Sequence, residues 1–211
     1  LNPHYKLSSD SWNLRAGANV DISFGSGKSF RVSPDVIAQY IFSDSYVLYA
    51  QATGGKLVND FRRLETICPY ALPAGPILDT YEQLNAAIGF KASPYPGLWI
   101  NLYGGYQDLK DDFFEVQEET FGNYDPSLAG DAQEGNSSSP VTAHQYLNLE
   151  FSNTNNFYAG MKISYEYKDL IALFAAGTYR NWDAKEKYSL YMKPACEINF
   201  SADFRPITGL N

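Results

Sequence analysis

Charged and amide side chains recur at every second position along much of this sequence. Arg15 and Asp21 alternate with alanine and valine, and Lys162 alternates with methionine and isoleucine. Guanidinium, ammonium, carboxylate and amide groups on one surface can bind a polar solute, or they can pair with one another. The sequence therefore predicts a hydrophilic surface for which both interpretations stay open. Its members are Arg15, Asp21, Arg31, Asp35, Gln39, Gln83, Asn85, Lys91, Asn101, Lys162, Glu166, Arg180, Glu197, Asp203 and Arg205.

Residue types that carry out covalent catalysis are few. His4 and His144 are the only histidines, and neither lies in a motif such as Gly-x-Ser-x-Gly or His-Glu-x-x-His. A nucleophile pair of His144 with one of the serines at 137–139 is a minor alternative. Phosphate-binding loops and Cys-x-x-Cys pairs are absent, and Cys68 and Cys196 are so far apart in sequence that we expect unpaired thiols. The sequence predicts neither an enzyme nor a bound cofactor.

One acidic stretch contains the residue types that calcium binds, because calcium takes about six to eight oxygen ligands. Its spacing does not match an Asp-x-Asp-x-Asp-Gly loop, so a solvated charged loop is favoured over a metal site. Its carboxylates are Asp108, Asp111, Asp112, Glu115, Glu118, Glu119, Asp125, Asp131 and Glu134, and Lys110 is the only base among them.

The elements that position these side chains are predicted from alternation with a period of two. From Trp12 to Ile22, apolar residues fall on one face and mostly polar residues on the other, as in an extended strand. A strand that crosses a bilayer needs about 9 to 11 residues, whereas strands of soluble proteins cluster near 5 or 6, so this length favours a membrane strand. The same alternation predicts about eight strands, at about 13–22, 29–42, 46–55, 80–92, 98–107, 157–167, 171–180 and 196–205.

Two long segments interrupt the alternation. Prolines and glycines mark a loop at about 56–79, and an acidic, then glycine- and serine-rich, stretch marks a loop at about 108–156, with a short local strand at 145–151. Pro34 conflicts with the second strand because proline cannot donate to a ladder. In an up-and-down meander both long loops fall at one end and the short turns at the other, as in outer-membrane barrels.

Composition limits the classes of function. The 211 residues suffice for one all-β domain, carry a formal net charge of -8 and are 16% aromatic. The negative charge argues against nucleic-acid binding, because no basic stripe is available for phosphates. No run of about 18 apolar residues is present, so the sequence predicts no transmembrane helix but still permits transmembrane strands. The sequence begins at Leu1 without a basic and apolar leader, so we expect a removed signal peptide or a fragment.

Several of these segments are similar to those of known proteins. The segments are 46–55, Asn59-Asp60-Phe61-Arg62, 84–99 and Tyr179-Arg180-Asn181-Trp182-Asp183. They resemble barrel segments of Bacteroidetes outer-membrane proteins of the TonB-dependent receptor-like class. The resemblance implies an outer-membrane β-barrel that is longer than this chain, of which these residues are the later part. Full receptors also carry an N-terminal plug and a TonB-contacting segment, and neither is recognisable here.

The sequence therefore predicts one all-β domain over residues 1–211, an antiparallel up-and-down transmembrane β-barrel of about eight strands or a segment of a larger barrel. Apolar faces would contact lipid of the bacterial outer membrane. Polar faces would line a receptor-like or porin-like lumen for passage or uptake of a small solute or nutrient, with an upstream barrel or plug segment as a further partner. The alternative is a soluble lipocalin-like barrel that binds a ligand inside, and such a barrel should have an apolar interior.

Overall fold

The computed structural model describes residues 1–23, 28–67, 69, 76–121, 143–168, 170–184 and 193–204. The strands and helix within these ranges are β1 (His4–Ser8), β2 (Trp12–Ile22), β3 (Phe30–Ser43), β4 (Tyr46–Leu57), α1 (Phe61–Ile67), β5 (Thr80–Tyr95), β6 (Leu98–Phe121), β7 (Ala143–Tyr167), β8 (Ile171–Ala184) and β9 (Cys196–Phe204). No helix in the described part of the chain is long and apolar enough to cross a membrane.

All strands belong to a single sheet. They follow one another in the order of the sequence, and every neighbouring pair is antiparallel. Within the described residues, β1 pairs only with β2 and β9 only with β8, so the sheet has two edges. The predicted all-β, antiparallel up-and-down fold is confirmed, with nine strands instead of about eight and with an open sheet.

Short turns join the strands at one end of the sheet. β3 and β4 are connected through Asp44 and Ser45, and β5 and β6 through Pro96 and Gly97. Gly97 has a φ of 81°, and a Cβ there would lie 2.1 Å from the carbonyl oxygen of Glu166, so this turn requires glycine. The connections at the other end are longer, in agreement with the predicted alternation of turns and loops.

The predicted strands correspond to β2–β9, and β1 is an addition. Its register places His4 opposite Gly17 and Ser8 opposite Asn13. Backbone bonds continue this edge beyond β1, because the amide of Val20 donates to the carbonyl oxygen of Leu1 at 2.8 Å. A strand of five residues contains too little alternation to be recognised from sequence alone.

The second long loop is shorter than predicted. β6 continues to Phe121 and β7 begins at Ala143. The predicted local strand at 145–151 is confirmed as part of β7, whereas the prediction of irregular structure is wrong for the other residues of these two strands. A register shift between Leu109 and Asp112, with Asp111 at a φ of 52°, changes the phase of the alternation. The sequence pattern therefore looks irregular where the strand continues.

Helix α1 packs on this continued hairpin, within the first predicted loop. Leu64 of the helix forms a buried cluster with Phe113 and Leu149, and Ile77 and Phe151 pack against it. The cluster fastens the connection between β4 and β5 to the far ends of β6 and β7.

Pro34 is compatible with the sheet because of its position in β3. It lies opposite Ala18 of β2, whereas the pairing of β3 with β4 begins only at Val36. Residues of β3 before Val36 have a strand neighbour on one side only, and a residue without an N–H is tolerated there.

The sheet is curved, and its two faces differ in chemistry. On the polar face, side chains of strands that are not neighbours reach one another: Tyr49 donates to Asn101 across β5, and Tyr103 is bonded to Thr178 across β7. Side chains converge in this way on the concave side of a curved sheet, so the polar face is concave. The convex face carries apolar side chains with large exposed fractions, such as Leu102 at 48%.

Candidate functional site: the concave polar face

Most of the polar residues predicted from the sequence share the concave face. Direct cross-strand pairs such as Asp21 with Arg31 place them on the same side. The predicted residues on this face are Arg15, Asp21, Arg31, Asp35, Gln39, Asn85, Lys91, Asn101, Lys162, Glu166, Arg180, Glu197 and Asp203. Gln83 is exposed at a register shift of β5, and Arg205 lies outside the described residues.

The β2–β3 side of the face contains an ion pair with further polar partners. Nη2 of Arg15 lies 2.5 Å from Oδ2 of Asp35, whose side chain is 8% exposed. Asn2 donates to the same carboxylate oxygen and to Asn19, each at 2.8 Å. Asn19 in turn donates to the carbonyl oxygen of Gly54 at 2.7 Å. These groups bind one another, so this part of the face is filled by its own side chains.

A second network crosses β5 to β8. Asn156, which has 0% exposed surface, donates to Gln107 at 2.9 Å and accepts from Arg180 at 3.2 Å. Gln107 donates to Glu82 at 2.6 Å, and Asn85 donates to the same oxygen at 3.0 Å. The network has the carboxylate of Glu82 at one end and the guanidinium of Arg180 at the other. These two groups can bind water or a solute of either charge.

Three tyrosine rings lie against this face above glycines of a neighbouring strand. The pairs are Tyr49 with Gly89, Tyr103 with Gly160 and Tyr158 with Gly105. A Cβ on the three glycines would come within 2.3, 2.5 and 2.6 Å of the rings, respectively. Since the rings lie over the sheet instead of projecting from it, they leave the space in front of the concave face open.

Cations and hydroxyl partners hold these rings in place. The cations lie 5.1 to 5.6 Å from the ring centroids: Lys91 over Tyr49 at 5.1 Å, Lys162 over Tyr103 at 5.6 Å and Arg180 over Tyr158 at 5.1 Å. The hydroxyl of Tyr158 donates to Asn85 at 2.6 Å, which joins this ring to the network of Glu82. Tyrosine, lysine and amide groups thus form one continuous polar surface across the middle of the sheet.

Sequence reasoning missed several members of this surface. Glu82 was not selected because the alternation, extended through the register shift of β5, points to Gln83 instead. The three tyrosines were not among the predicted members of the hydrophilic surface. Tyr49 shares the polar side of its strand with Gln51 and Thr53, and this signal was sufficient to place its ring on the concave face.

A cavity of about 210 Å³ lies at the end of the sheet opposite the short turns. Asp21 and Arg31 line it from the concave face, and two ion pairs form part of its wall. Arg31 lies 2.6 Å from Asp111 of β6, and Lys56 lies 2.5 Å from Asp79. The first of these pairs joins β3 to β6 across two intervening strands, so it fixes the curvature of the sheet at this end.

The Lys56–Asp79 pair is partly buried and joins β4 to the residue that precedes β5. Burial would by itself raise the pKa of Asp79. Hydrogen bonds from Lys56 and from the amide of Asn59, together with the positive charges of Lys56 and Arg31, outweigh burial and hold this pKa below its usual value of 3.8. Asp79 is therefore an acceptor for these donors at neutral pH.

Other residues singled out in the sequence contribute little to this surface. Cys196 is a free, exposed thiol, whereas Cys68 and the serines at 137–139 lie outside the described residues. The acidic positions from Asp125 to Glu134 also lie outside them. Among the residues that the structure describes, no group of three or more His, Cys, Asp or Glu side chains is placed to hold a metal ion.

No family model matches the sequence, and no curated protein matches it. Solved structures do match. The complex of FpvAI with pyocin S2 has a TM-score of 0.57 and 15% identity over 98% of this chain. The pyoverdine receptor FpvA of Pseudomonas aeruginosa PAO1, bound to pyoverdine, has a TM-score of 0.55 and 16% identity over 99% of this chain. The siderophore receptor PirA of Acinetobacter baumannii has a TM-score of 0.55 and 15% identity over 95% of this chain.

FpvA and PirA are described as receptors, FpvA as one of the outer membrane, and the similarity at this identity shows a shared fold. The chain spans 25%, 28% and 30% of the length of the three matched chains. The sheet therefore has the fold of a part of a receptor barrel.

Proposed function

We propose that this chain forms part of a barrel in the bacterial outer membrane that takes up or passes a small polar solute. The observation that carries the proposal is the opposition between the two faces of one curved sheet. The convex face is apolar and would contact lipid, and the concave face is polar and would line the lumen.

Aromatic side chains pair on the convex face. Near the short turns, the rings of Trp12 and Tyr40 and those of Tyr40 and Phe42 are each 4.6 Å apart. Tyr106 and Phe157, whose rings are 4.9 Å apart, lie well inside β6 and β7. Aromatic girdles flank the apolar band of outer-membrane barrels, so the cluster near the short turns supports a membrane boundary at that end.

The length of the apolar side of β3 fits a bilayer. Phe30, the first residue of β3, and Tyr40, near its other end, lie on the convex face. A strand rises by about 3.3 Å per residue, so the ten steps from Phe30 to Tyr40 span about 33 Å along the strand. At a strand tilt of about 40°, this length corresponds to about 25 Å along the membrane normal, which is the height of the apolar band of such barrels.

The matched structures support uptake as the kind of transport. FpvA bound to pyoverdine and the siderophore receptor PirA are receptors for small ligands. We therefore favour a TonB-dependent receptor-like role over porin-like passage, with an upstream barrel or plug segment as the partner of the concave face. An origin in Bacteroidetes rests on the sequence resemblance alone.

The concave face argues against the soluble lipocalin-like alternative. A lipocalin-like barrel binds its ligand in an apolar interior. Here the concave face carries buried polar side chains, among them Asp35 at 6% exposure and Asn156 at 0%. The large apolar side chains lie on the opposite face, where a soluble barrel would expose them to water.

Arginine substitutions on the two faces test the proposal. Leu102→Arg would place a charge among lipid chains, and we expect it to lower the free energy of unfolding by about 2–4 kcal/mol. The matched control is Gln51→Arg on the concave face, where water would solvate the charge and the effect should stay within about 0.5 kcal/mol. Both variants are compared in the protein extracted from the outer membrane, by the urea midpoint and by the amount of folded protein. A neutral Leu102→Arg variant would show that this face does not meet lipid.

A further inference from the structure

Beside its ion pairs, the cavity at the far end of the sheet contains polar atoms without partners. Tyr81, which is 4% exposed, lines the cavity, and its hydroxyl has no hydrogen-bond partner in the described part of the chain. Oδ2 of Asp21 also lacks a partner there. Buried polar groups are nearly always hydrogen-bonded. Two such atoms at one cavity therefore indicate a site for a polar ligand.

The charges around the cavity are balanced but not all paired. Three cationic side chains and three carboxylates line it, and two of each form the ion pairs described above. Among the described residues, no ion pair joins Lys28 or Asp21 to another side chain. One ammonium group and one carboxylate of the wall are therefore available to a ligand.

The backbone of the wall is held in a costly conformation. Asp111 has a φ of 52°, a backbone angle that residues other than glycine rarely adopt. Its amide donates to Asn153 at 3.3 Å, and its carbonyl oxygen accepts from the hydroxyl of Thr80 at 3.1 Å. Such residues are concentrated at ligand sites, where the neighbouring structure holds them in place. Here the conformation directs the Asp111 carboxylate to Arg31, whose guanidinium lies 4.7 Å from the ring centroid of Tyr81.

We propose that this cavity binds a small zwitterion of dipeptide size. Its ammonium group donates to Asp21, and its carboxylate accepts from Lys28 and from the hydroxyl of Tyr81. A cavity of about 150 Å³ holds benzene, so about 210 Å³ holds a molecule of about ten non-hydrogen atoms. The inference names the solute class for the uptake function proposed above and rests on that function.

The probe that tests the inference is L-alanyl-L-alanine, titrated calorimetrically into the protein extracted from the outer membrane in detergent. Two blocked forms are titrated beside it, one acetylated at the amino group and one amidated at the carboxylate. We expect each blocked form to bind at least about tenfold more weakly, because each loses one charge-assisted hydrogen bond.

Each substitution in the cavity wall should remove one of these two ligand preferences and keep the other. Asp21→Asn should abolish the preference for a free amino group and keep that for a free carboxylate, and Lys28→Met should do the reverse. Tyr81→Phe should weaken the binding of the carboxylate-bearing forms. Asp10→Asn, in the turn between β1 and β2, is the matched control and should bind like the wild type.

Asp21→Asn also has a readout without ligand. It keeps the shape of the side chain and removes a charged oxygen that lacks a partner, so we expect the variant to be at least as stable as the wild type. A role of Asp21 in folding alone would instead lower stability and leave the ligand preference unchanged.

Several results would overturn the inference. These are the absence of L-alanyl-L-alanine binding to the folded protein, equal binding of the free and blocked forms, and a loss in Asp10→Asn as large as that in Asp21→Asn. The proposed function fails separately, through a neutral Leu102→Arg variant. If Leu102→Arg is destabilising and the dipeptide does not bind, only the inference about the solute class is lost.

Discussion

At the scale of single residues, the concave face depends on the absence of side chains beneath its tyrosine rings. A Cβ on Gly105 would lie 2.4 Å from the carbonyl oxygen of Ala86 and 2.6 Å from Cζ of Tyr158. The backbone oxygen cannot move aside without disturbing the pairing of β5 with β6. We therefore expect Gly105→Ala to lower the free energy of unfolding by about 1–3 kcal/mol, as overpacking usually does, and denaturant titration measures this difference.

Gly104 provides the matched control, because it lies next to Gly105 on the convex face. A Cβ on Gly104 would meet the carbonyl oxygen of Tyr158 at 3.5 Å, which is an ordinary van der Waals distance. Gly104→Ala should therefore change the free energy of unfolding by no more than about 0.5 kcal/mol. Equal losses in the two variants would contradict the assignment of the two faces.

Asp79 should make the free energy of unfolding depend on pH in the acidic range. Its folded pKa is lowered below 3.8, the unfolded value, so its contribution is fully present above pH 3.8 and is lost as the pH falls through the lowered folded pKa. Asp79→Asn removes this group, and we expect the variant to lose less stability than the wild type as the pH falls below 3.8. Urea midpoints measured from pH 6 downward test this expectation. If the urea midpoints of wild type and variant fell in parallel with pH, the hydrogen bond from Lys56 to Asp79 would contribute nothing to the stability of the protein.

The sequence predicts on which face a polar residue lies, but not which residue it binds. Alternation places Arg31 on the polar side of its strand. Its partner Asp111 is 80 positions away, and the two meet only because the sheet curves β3 toward β6. Curvature depends on register shifts and on the whole set of strand pairings, which a single segment does not contain. The cavity beside this ion pair was missed for the same reason.

At the scale of elements, α1 should stabilise the far end of the β6–β7 hairpin independently of the rest of the sheet. Leu64 is 5% exposed in the cluster beneath the helix, so Leu64→Ala should cost about 2–5 kcal/mol locally. Amide hydrogen exchange should accelerate at Phe113 and Phe114 while the strands nearer the short turns keep their protection. Phe61→Ala is the control, because Phe61 is 72% exposed on the same helix. Faster exchange throughout the sheet would show that α1 belongs to the global folding unit.

Strand prediction succeeds where the alternation keeps one phase and fails where the phase changes. β2 keeps one phase from end to end, and its full length was predicted. β6 changes phase at the register shift near Asp111 and then places Phe113 and Phe114 side by side, both buried. A pattern of period two cannot be followed through such a shift, so the strand appeared to end there. β1 failed for a different reason, because five residues are too few to establish a period.

At the scale of the whole molecule, the nine described strands cannot close on themselves with antiparallel pairing throughout. β1 and β9 are both odd-numbered in an up-and-down sheet and therefore run in the same direction. Single-chain outer-membrane barrels of bacteria have even numbers of antiparallel strands. β9 is also exposed along its entire length, with Ile198 at 78% and Phe200 at 72%. An edge of this kind requires a neighbouring strand.

We therefore expect residues 1–211 alone not to form a stable barrel in detergent micelles. Their migration on a gel should be the same with and without boiling, whereas a form that carries additional strands at both edges should shift on heating. Circular dichroism supplies the control, because it shows whether strands have formed before the comparison is made. A monomer of residues 1–211 that shifts on heating would contradict this expectation. It would require either a parallel contact between β1 and β9 or a further strand from residues outside the described ranges, and cysteine crosslinking between the two edge strands would separate these alternatives.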